Sequence, residues 1–299
     1  MSATTTPQVR KAIIPAAGWG TRMLPAAKAV PKELLPVLDR PTIQYVVEEA
    51  ADAGIDDLLL ITQREKRAIE DHFDRSPELE DRLRAGGKNK LLATLLGLAE
   101  LTDRVQLHAV RQSEQRGLGH AVLQARKHVG DALCLCLLGD TIFAGGSVSP
   151  SKQIIDAHAR LGGTIIALEQ VPPERVERYG IAGGEMIDAT TMKITELVEK
   201  PPREFAPSNY AICARYVLSP RIFDLLARQT PGKGGEIQLT DALNALVKLE
   251  PVHGVVIESK RFDIGNPTDW LLTNLAFAAR DEQLWSKIEP ALRTLLRKE

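Results

Sequence analysis

The sequence has only three cysteines in 299 residues, and none of its apolar runs approaches the roughly 20 residues that a membrane-spanning helix needs. Cys134 and Cys136 lie two positions apart in an apolar segment, and Cys213 stands alone. So small a number of cysteines favours their interpretation as small core residues of a protein in a reducing compartment. It argues against a disulfide framework or a zinc site. The first ten residues also lack the apolar core of a signal peptide. We therefore predict a cytoplasmic protein that does not bind a membrane.

An excess of charge of one sign is also missing. The 38 lysines and arginines and the 39 aspartates and glutamates give a formal net charge of −1. No global basic field therefore attracts nucleic acid or an anionic membrane. Any phosphate that the protein binds must be held by local clusters of cations, and we predict no nucleic-acid partner.

The most informative segment starts at Lys11-Ala-Ile-Ile-Pro and continues through a glycine-bearing turn, an arginine, and a lysine set between prolines. Gly18 and Gly20 leave backbone N–H groups accessible to an anion, because no Cβ stands in the way. Arg22 and Lys32 supply the cationic side chains that a polyphosphate needs. The segment is typical of a phosphate-binding loop at the carboxyl end of a first strand, where open α/β sheets bind ligands.

The spacing of this segment differs from two common phosphate loops. The dinucleotide-binding pattern G-x-G-x-x-G needs a third glycine, and position 23 is Met. The P-loop pattern G-x-x-x-x-G-K-[ST] is absent too. The alternative is a plain glycine turn with basic residues nearby by chance, but the arginine, prolines and lysine together favour a phosphate site.

Apolar and amphipathic segments alternate along the chain, which is typical of α/β proteins. We predict a doubly wound, Rossmann-like α/β fold with a mixed central sheet and helices on both faces. Residues 77–101 read as a helical insertion broken at Gly86-Gly87, residues 281–299 as a C-terminal amphipathic helix, and residues 141–147 as a loop. The predicted strands are Val9–Ile14, Asp57–Thr62, Val105–Arg111, Ala132–Leu138, Thr164–Glu169, Lys193–Val198, Ala211–Leu218 and Val252–Glu258. The predicted helices include Ile43–Ala53, Glu65–Phe73, Gly119–Val129 and Lys152–Arg160.

Two aspartates are candidates for a metal site. Asp140 follows a continuous apolar strand, and Asp263 lies in the segment Arg261-Phe-Asp-Ile-Gly-Asn. Mg²⁺ prefers oxygen ligands and typically takes one or two protein carboxylates, with phosphate oxygens and waters completing its shell. Either aspartate alone could merely shape a turn, but together with the phosphate loop they indicate a magnesium site.

The string from Ala16 to Val37 resembles the signature of nucleoside-diphosphate-sugar pyrophosphorylases, which join a sugar 1-phosphate to a nucleotide and release pyrophosphate. The segments Gly117-Leu-Gly-His-Ala-Val and Glu236-Ile-Gln-Leu-Thr-Asp-Ala are similar to the bacterial members that use UTP and glucose 1-phosphate. The resemblance covers roughly residues 9–280 in the family's order. One departure is Gly139, where the family often carries proline before the aspartate.

The resemblance implies a single nucleotidyltransferase domain over residues 9–280, with a nucleotide-binding part at about 9–145 and a sugar-binding part at about 146–270. It implies Mg²⁺-dependent formation of UDP-glucose and pyrophosphate, by in-line attack of glucose 1-phosphate on the α-phosphate of UTP. We expect a homo-oligomer, either a dimer or a tetramer. The alternatives are an enzyme for another nucleotide or sugar phosphate, such as dTTP or an N-acetylhexosamine phosphate, and a non-catalytic sensor of sugar nucleotides.

The resemblance also implies a role for each matching residue. The sugar phosphate is ionised at neutral pH, so the reaction calls for cations and metal-binding carboxylates and not for a catalytic triad. Glu199 and Lys200 could instead form only a surface ion pair at a strand end. The implied catalytic residues are Arg22, Lys32 and Lys200; the nucleotide-binding residues are Ala17, Gly18, Gly20, Glu33, Gln112 and Gly117; the sugar-binding residues are Gly180, Glu199, Lys200 and Asn209; and the metal ligands are Asp140 and Asp263.

Overall fold

The computed structural model describes residues 8–297, in which strands and helices alternate along most of the chain. Among these residues, no helix combines the length and apolar character that crossing a bilayer requires. The strands are β1 (Lys11–Pro15), β2 (Pro36–Val37), β3 (Arg40–Pro41), β4 (Asp57–Thr62), β5 (Gln106–Arg111), β6 (Cys134–Leu137), β7 (Thr141–Ala144), β8 (Thr164–Gln170), β9 (Gly180–Met186), β10 (Thr191–Glu199), β11 (Tyr210–Leu218), β12 (Val252–Val256) and β13 (Lys260–Asp263). The helices are α1 (Thr42–Asp52), α2 (Arg67–Phe73), α3 (Pro77–Ala85), α4 (Asn89–Arg104), α5 (Leu118–Leu123), α6 (Arg126–Val129), α7 (Pro150–Leu161), α8 (Arg221–Arg228), α9 (Leu239–Leu246), α10 (Pro267–Ala278) and α11 (Glu282–Leu296).

A mixed sheet of nine strands forms the centre of the fold, in the order β5-β4-β1-β6-β11-β8-β12-β10-β9. β1 pairs in parallel with β4 and β6, and β4 pairs in parallel with β5. β11 runs antiparallel to both β6 and β8, so the sheet becomes mixed at β11. The predicted α/β fold with a mixed central sheet is therefore confirmed.

Helices cover both faces of this sheet. This coverage explains why the sequence of strand β6 is apolar throughout. Leu135 and Leu137 belong to a hydrophobic cluster that includes residues of α1, α2, α4 and α7. Cys134 and Cys136 belong to a second cluster that includes residues of α5, α8 and α9. Successive side chains of a strand point to opposite faces, so a strand covered on both faces has no polar position. All three cysteines are buried and free, as predicted.

The sequence-based prediction misses strand β9 and helix α10, and it also differs from the structure in several short elements. The prediction of a loop over residues 141–147 is wrong in its first half, because Thr141–Ala144 form β7. β7 pairs with β13 in a separate two-stranded sheet, and four residues are too few to show a strand periodicity. The single helix predicted at Gly119–Val129 is divided into α5 and α6.

Two predicted features outside the sheet are confirmed. The helical insertion breaks where expected, since α3 ends at Ala85 and α4 begins at Asn89. The C-terminal helix begins after Asp281, whose carboxylate accepts a hydrogen bond from the Leu284 backbone N–H at 2.9 Å. None of the side chains of α11 is buried. Residues 298–299 of the predicted helix lie outside the described residues.

A buried ion pair between Glu49 and Arg215 joins helix α1 to strand β11. The Arg215 guanidinium is inaccessible to solvent, and it donates to Glu49 Oε1 at 3.0 Å and to Glu49 Oε2 at 2.7 Å. Arg215 Nη2 also donates to the Thr141 carbonyl at 2.9 Å, at the start of β7. Glu49 Oε1 accepts further hydrogen bonds from the Ser151 hydroxyl and backbone N–H of α7. The pair therefore connects four elements at one buried point.

We expect Arg215→Met to lower the free energy of unfolding by about 3–5 kcal/mol, because it leaves the Glu49 carboxylate buried without its cation. Urea denaturation followed by circular dichroism measures this change. The double variant Glu49→Gln/Arg215→Met should recover part of the loss, since the unpaired charge is then removed as well.

A matched control is the exposed ion pair between Asp52, on the same helix as Glu49, and Arg104 at the end of α4. Arg104 pairs with Asp52 at 2.7 Å, but both side chains are more than half exposed. Arg104→Ala should therefore cost no more than about 1 kcal/mol. Equal losses in Arg215→Met and Arg104→Ala would contradict the structural importance of the buried pair.

Candidate active site

The two-stranded sheet of β7 and β13 brings the predicted metal ligands together. β7 starts directly after Asp140, and β13 ends at Asp263. Thr141 is the register partner of Asp263, and the backbone N–H of Ile264 donates to the Asp140 carbonyl at 3.1 Å. Two aspartates that are distant in sequence therefore become neighbours.

The charges around these aspartates affect each other strongly. Lys32 forms an ion pair with Asp140, and both side chains are largely buried. Burial favours the neutral form of Asp140, but Lys32 and Arg22 outweigh burial and hold the pKa of its carboxyl below the ordinary value. Burial and the negative charge of Asp140 raise the pKa of the Asp263 carboxyl. Two buried carboxylates that repel each other are a donor set that fits a hard divalent cation such as Mg²⁺.

A cavity of about 350 Å³ lies beside Asp140 and contains all six residues that the resemblance assigned to the nucleotide. Backbone and side chains of the glycine-bearing turn form one wall, and α5 contributes to the opposite wall. Lys32 also lines this cavity, so the structure groups it with the predicted nucleotide site. The lining residues are Pro15, Ala17, Gly18, Trp19, Gly20, Thr21, Lys32, Glu33, Gln112, Gln115, Gly117, Leu118, Ala121, Leu138, Asp140 and Glu236.

Glu33 is held by a cation that the sequence did not indicate. The Lys66 ammonium donates to both Glu33 carboxylate oxygens, at 2.9 and 2.7 Å, and both side chains are buried. Burial raises the pKa of Glu33 and lowers the pKa of Lys66, because each charged form loses water. Lys66 follows β4, and no motif links it to Glu33. This pair anchors the 3₁₀ turn Lys32–Leu34 at the wall of the cavity, which Glu33 itself lines.

Gln112 and Gly117 are positioned by one another. The Gln112 side-chain amide donates to the Gly117 carbonyl at 3.2 Å and lies 2.9 Å from His120 Nδ1. Gly117 has a φ of 102°, and a Cβ there would lie 2.8 Å from the Ile237 carbonyl oxygen. Only glycine fits this position without strain. The structure therefore explains Gly117 by close packing against the segment that follows Glu236.

A second cavity of about 540 Å³ adjoins the first and shares Asp140 with it. It contains the predicted sugar-binding residues Gly180, Glu199 and Lys200, together with Asp263. Arg22 lines this second cavity and not the first, which separates it from Lys32. The lining residues are Arg22, Leu118, Leu138, Asp140, Thr141, Arg178, Tyr179, Gly180, Glu199, Lys200, Ile212, Ala214, Tyr216, Glu236, Gln238, Leu239, Thr240, Arg261 and Asp263.

Glu199 and Lys200 form an ion pair at the end of β10, with Lys200 Nζ 3.0 Å from Glu199 Oε1. The Thr240 hydroxyl donates to Glu199 Oε2 at 2.6 Å and fixes the carboxylate. Lys200 has a φ of 47°, which is unusual for a residue with a side chain. The pair lines the second cavity, and the Lys200 side chain is 47% exposed.

Asn209 is the one predicted site residue that lies outside both cavities. Its backbone carbonyl accepts a hydrogen bond from the Val171 N–H at 2.9 Å. Its assignment to the sugar stays a prediction.

Arg261 is a cavity residue that the sequence reasoning did not assign. Its guanidinium stacks on the Tyr179 ring at 4.2 Å, pairs with Glu169, and donates to the Ile212 carbonyl at 3.3 Å. The sequence signal that could have identified Arg261 is its position in the same short motif as Asp263.

The fold and the site together define a nucleotidyltransferase: a mixed α/β sheet, a glycine-bearing loop with a buried lysine, and two facing aspartates where two polar cavities meet. The chain belongs to the nucleotidyl transferase family, whose sequence model matches residues 11–280.

Known relatives cover nearly the whole chain. The UTP–glucose-1-phosphate uridylyltransferase of Bacillus subtilis (strain 168) is 47% identical over 292 residues, which are 98% of this chain and 99% of the relative. The UTP-bound UGPase from Acinetobacter baumannii has a TM-score of 0.88 at 37% identity, over 95% of this chain and 99% of that chain. A UDP-glucose pyrophosphorylase complexed with UDP-glucose has a TM-score of 0.82 at 35% identity, over 91% and 100% of the two chains.

We expect Asp263→Asn to raise the melting temperature of the metal-free protein at pH 7, and Asp140→Asn to lower it. Folding raises the pKa of the Asp263 carboxyl. Such a group stabilises the protein at low pH, and this contribution is lost as the pH rises through the folded-state pKa. A carboxyl whose pKa is lowered contributes above its unfolded pKa, and the contribution is lost as pH falls through the folded-state value. Each shift should be roughly 2–4 °C, the change that ~1 kcal/mol produces in a large domain.

Differential scanning calorimetry in a chelating buffer measures both shifts. Asp131→Asn, at an exposed position after α6, is the matched control and should leave the melting temperature unchanged. Shifts of the same sign in Asp140→Asn and Asp263→Asn would contradict the opposite electrostatic roles of the two aspartates.

Proposed function

We propose that this chain transfers the uridylyl group of UTP to glucose 1-phosphate, forming UDP-glucose and releasing pyrophosphate. The observation that carries this function is the position of Asp140, which lies on both cavities beside Lys32 and Asp263. Two substrates placed in adjoining cavities would meet at this point. The full-length similarity to a UTP–glucose-1-phosphate uridylyltransferase supports the choice of substrates.

The first cavity would hold UTP. The glycine-bearing turn with Gly18 and Gly20 presents backbone N–H groups that suit phosphate oxygens. The Gln112 side-chain oxygen offers an acceptor that suits the edge of a uracil base, while its amide nitrogen is held by the Gly117 carbonyl and His120. Lys32 would neutralise the charge that develops on the leaving pyrophosphate, because it lines the same cavity.

The second cavity would hold glucose 1-phosphate. Lys200 would bind its phosphate, and the Glu199 carboxylate would accept hydrogen bonds from sugar hydroxyls. Arg22 lines this cavity together with both aspartates, so its charge would stabilise the two reacting phosphates where they approach. The sugar phosphate attacks without a general base, since it is already ionised at neutral pH.

Asp140 and Asp263 would hold Mg²⁺, because carboxylate oxygens are its preferred protein ligands. When bound, the ion would screen the repulsion between two phosphate groups and help to align them. Burial and the negative charge of Asp140 raise the pKa of the Asp263 carboxyl, and a cation between the two carboxylates would offset the second of these effects.

The same two cavities support a division of the chain into two parts. We propose that residues 9–145 bind the nucleotide and residues 146–270 bind the sugar. Every residue lining the first cavity except Glu236 comes from the first part, which supports this division. The exposed leucines Leu295 and Leu296 of α11 support assembly into a dimer or tetramer. The cytoplasmic location stays a prediction.

We expect the purified protein with Mg²⁺ to release pyrophosphate at least about tenfold faster from UTP and glucose 1-phosphate than from other pairs, a difference of ~1.4 kcal/mol. The test pairs are dTTP with glucose 1-phosphate, and UTP with N-acetylglucosamine 1-phosphate. A phosphate-release assay coupled to inorganic pyrophosphatase measures the rates. A clear preference for either test pair would contradict the proposed substrates, and tight UDP-glucose binding without turnover would indicate a sensor.

We expect Lys32→Ala to impair the use of UTP and Lys200→Ala to impair the use of glucose 1-phosphate. Each lysine lines a different cavity, so each loss should fall mainly on one substrate. Removing a charge-assisted hydrogen bond typically costs about 1.5–3 kcal/mol, or roughly 10–100-fold in kcat/KM. Steady-state kinetics with each substrate varied in turn measures the two effects.

The matched control is Lys28→Ala, because Lys28 is exposed, lies four residues before Lys32, and lines neither cavity. It should leave both kcat/KM values within about twofold of the parent protein. Melting curves should accompany each variant, because Lys32 is paired with Asp140 in the fold. Equal defects on both substrates in the two cavity variants would overturn the separate assignment.

A further inference from the structure

Three metal-ligating side chains meet far from the candidate active site. Asp57 begins β4, His108 lies in β5, and His128 lies in α6. One carboxylate oxygen and one ring nitrogen from each histidine lie within 4.8 Å of one another. The side chains are partly buried, with exposures of 26% for Asp57, 39% for His108 and 21% for His128. An ion can therefore reach the cluster from solvent, although protein covers most of the surface of each side chain.

The sheet register explains why Asp57 and His108 face the same way. His108 is the register partner of Leu59, and Asp57 is two residues before Leu59 on the same strand face. Leu59 packs in the hydrophobic cluster that contains Val129 of α6. His128 precedes Val129, so the helix that covers this sheet face supplies the third ligand. All three residues belong to regular elements and not to loops.

Of the two histidine contacts with Asp57, only one is a hydrogen bond. His128 Nε2 lies 2.7 Å from Asp57 Oδ1, which is a normal hydrogen bond. His108 Nε2 lies 3.8 Å from the same oxygen, which is too long for one. The two imidazole rings lie with their centroids 4.9 Å apart and their planes tilted by 57°. A tetrahedral ion with bonds of ~2.0–2.1 Å needs ligand atoms about 3.4 Å apart, so only small side-chain rotations are required.

We propose that Asp57, His108 and His128 form a binding site for a divalent transition-metal ion such as Zn²⁺ or Co²⁺. Two imidazoles and one carboxylate suit these ions, whereas Mg²⁺ prefers oxygen ligands alone. The open side of the cluster leaves a fourth position for water.

Lys11 supports this arrangement from the next strand. Its ammonium donates to the His128 carbonyl at 2.6 Å and lies 3.6 Å from Asp57 Oδ2. Both histidines approach Asp57 Oδ1, which leaves Oδ2 for Lys11. Lys11 therefore fixes the orientation of the Asp57 carboxylate, a role that residues around metal ligands commonly have. The positive charge of Lys11 repels the metal ion. We therefore expect the dissociation constant of the ion from this cluster to lie in the micromolar range.

The cluster lies at the amino-terminal end of β4, whereas the candidate active site lies beyond the carboxyl ends of β1 and β4. β4 runs from Asp57 to Thr62, which spans roughly 17 Å at ~3.3 Å per residue. The Thr62 carbonyl accepts a hydrogen bond from the Gln112 backbone N–H at the cavity end. An ion at the cluster would join the edge strand β5 to β4 and α6, and its binding would be independent of any ion held by Asp140 and Asp263.

Isothermal titration calorimetry of the full chain with Zn²⁺ tests this proposal, with Mg²⁺ in large excess to fill oxygen-ligand sites. We expect one Zn²⁺ equivalent in the parent protein, and at least a tenfold weaker affinity in His108→Ala, His128→Ala and Asp57→Asn. Co²⁺ should give visible absorption bands that are lost in His128→Ala. Turnover with Mg²⁺ should be unchanged in His108→Ala, which also confirms that this variant folds.

Two controls locate the ion. His72→Gln removes a partly buried histidine outside the cluster, and Asp140→Asn removes a carboxylate of the candidate active site. Both variants should retain the Zn²⁺ equivalent with the affinity of the parent protein. The proposal is overturned if the parent binds no Zn²⁺ at 100-fold molar excess, or if the double variant His108→Ala/His128→Ala binds as the parent does.

Discussion

The pairing of β7 with β13 is the interaction on which the candidate active site depends. β7 follows Asp140 and β13 ends at Asp263, so the register of Thr141 against Asp263 places both carboxylates at one point. Arg215 holds the start of β7 through the Thr141 carbonyl, and Glu49 neutralises that buried cation. A register slip of one residue would turn the Asp263 side chain to the opposite face. The site therefore needs this particular pairing and not merely two nearby strands.

Buried charge is the second feature that organises the region. Lys32 pairs with Asp140, Lys66 with Glu33, and Arg215 with Glu49, and each pair offsets part of the cost of removing its ions from water. Asp263 is the exception, since burial and the charge of Asp140 both oppose its ionisation. An arrangement that is electrostatically incomplete in the protein alone is suited to a cation and to phosphate groups, which would complete it.

Much of the fold could be predicted from local pattern. The run Cys134–Leu137 is apolar because both of its faces are covered, and that property is visible in four consecutive residues. The break at Gly86-Gly87 and the helix after Asp281 follow from similarly local signals. β7 and β13 were not recognised, because each exists as a strand only through its pairing with the other, which is distant in sequence. The longer elements β9 and α10 were missed as well.

The sequence by itself indicated the chemical groups of the candidate site: the glycine-bearing loop, Lys32, Asp140 and Asp263 through their motifs, and Lys200 through the resemblance to a known family. Only the tertiary structure decided their surroundings. It paired Glu33 with Lys66, stacked Arg261 on Tyr179, separated Arg22 from Lys32, and left Asn209 outside both cavities. The physical reason is that sequence patterns record neighbours within one element, whereas burial, counter-charge and cavity walls arise only when distant elements pack together.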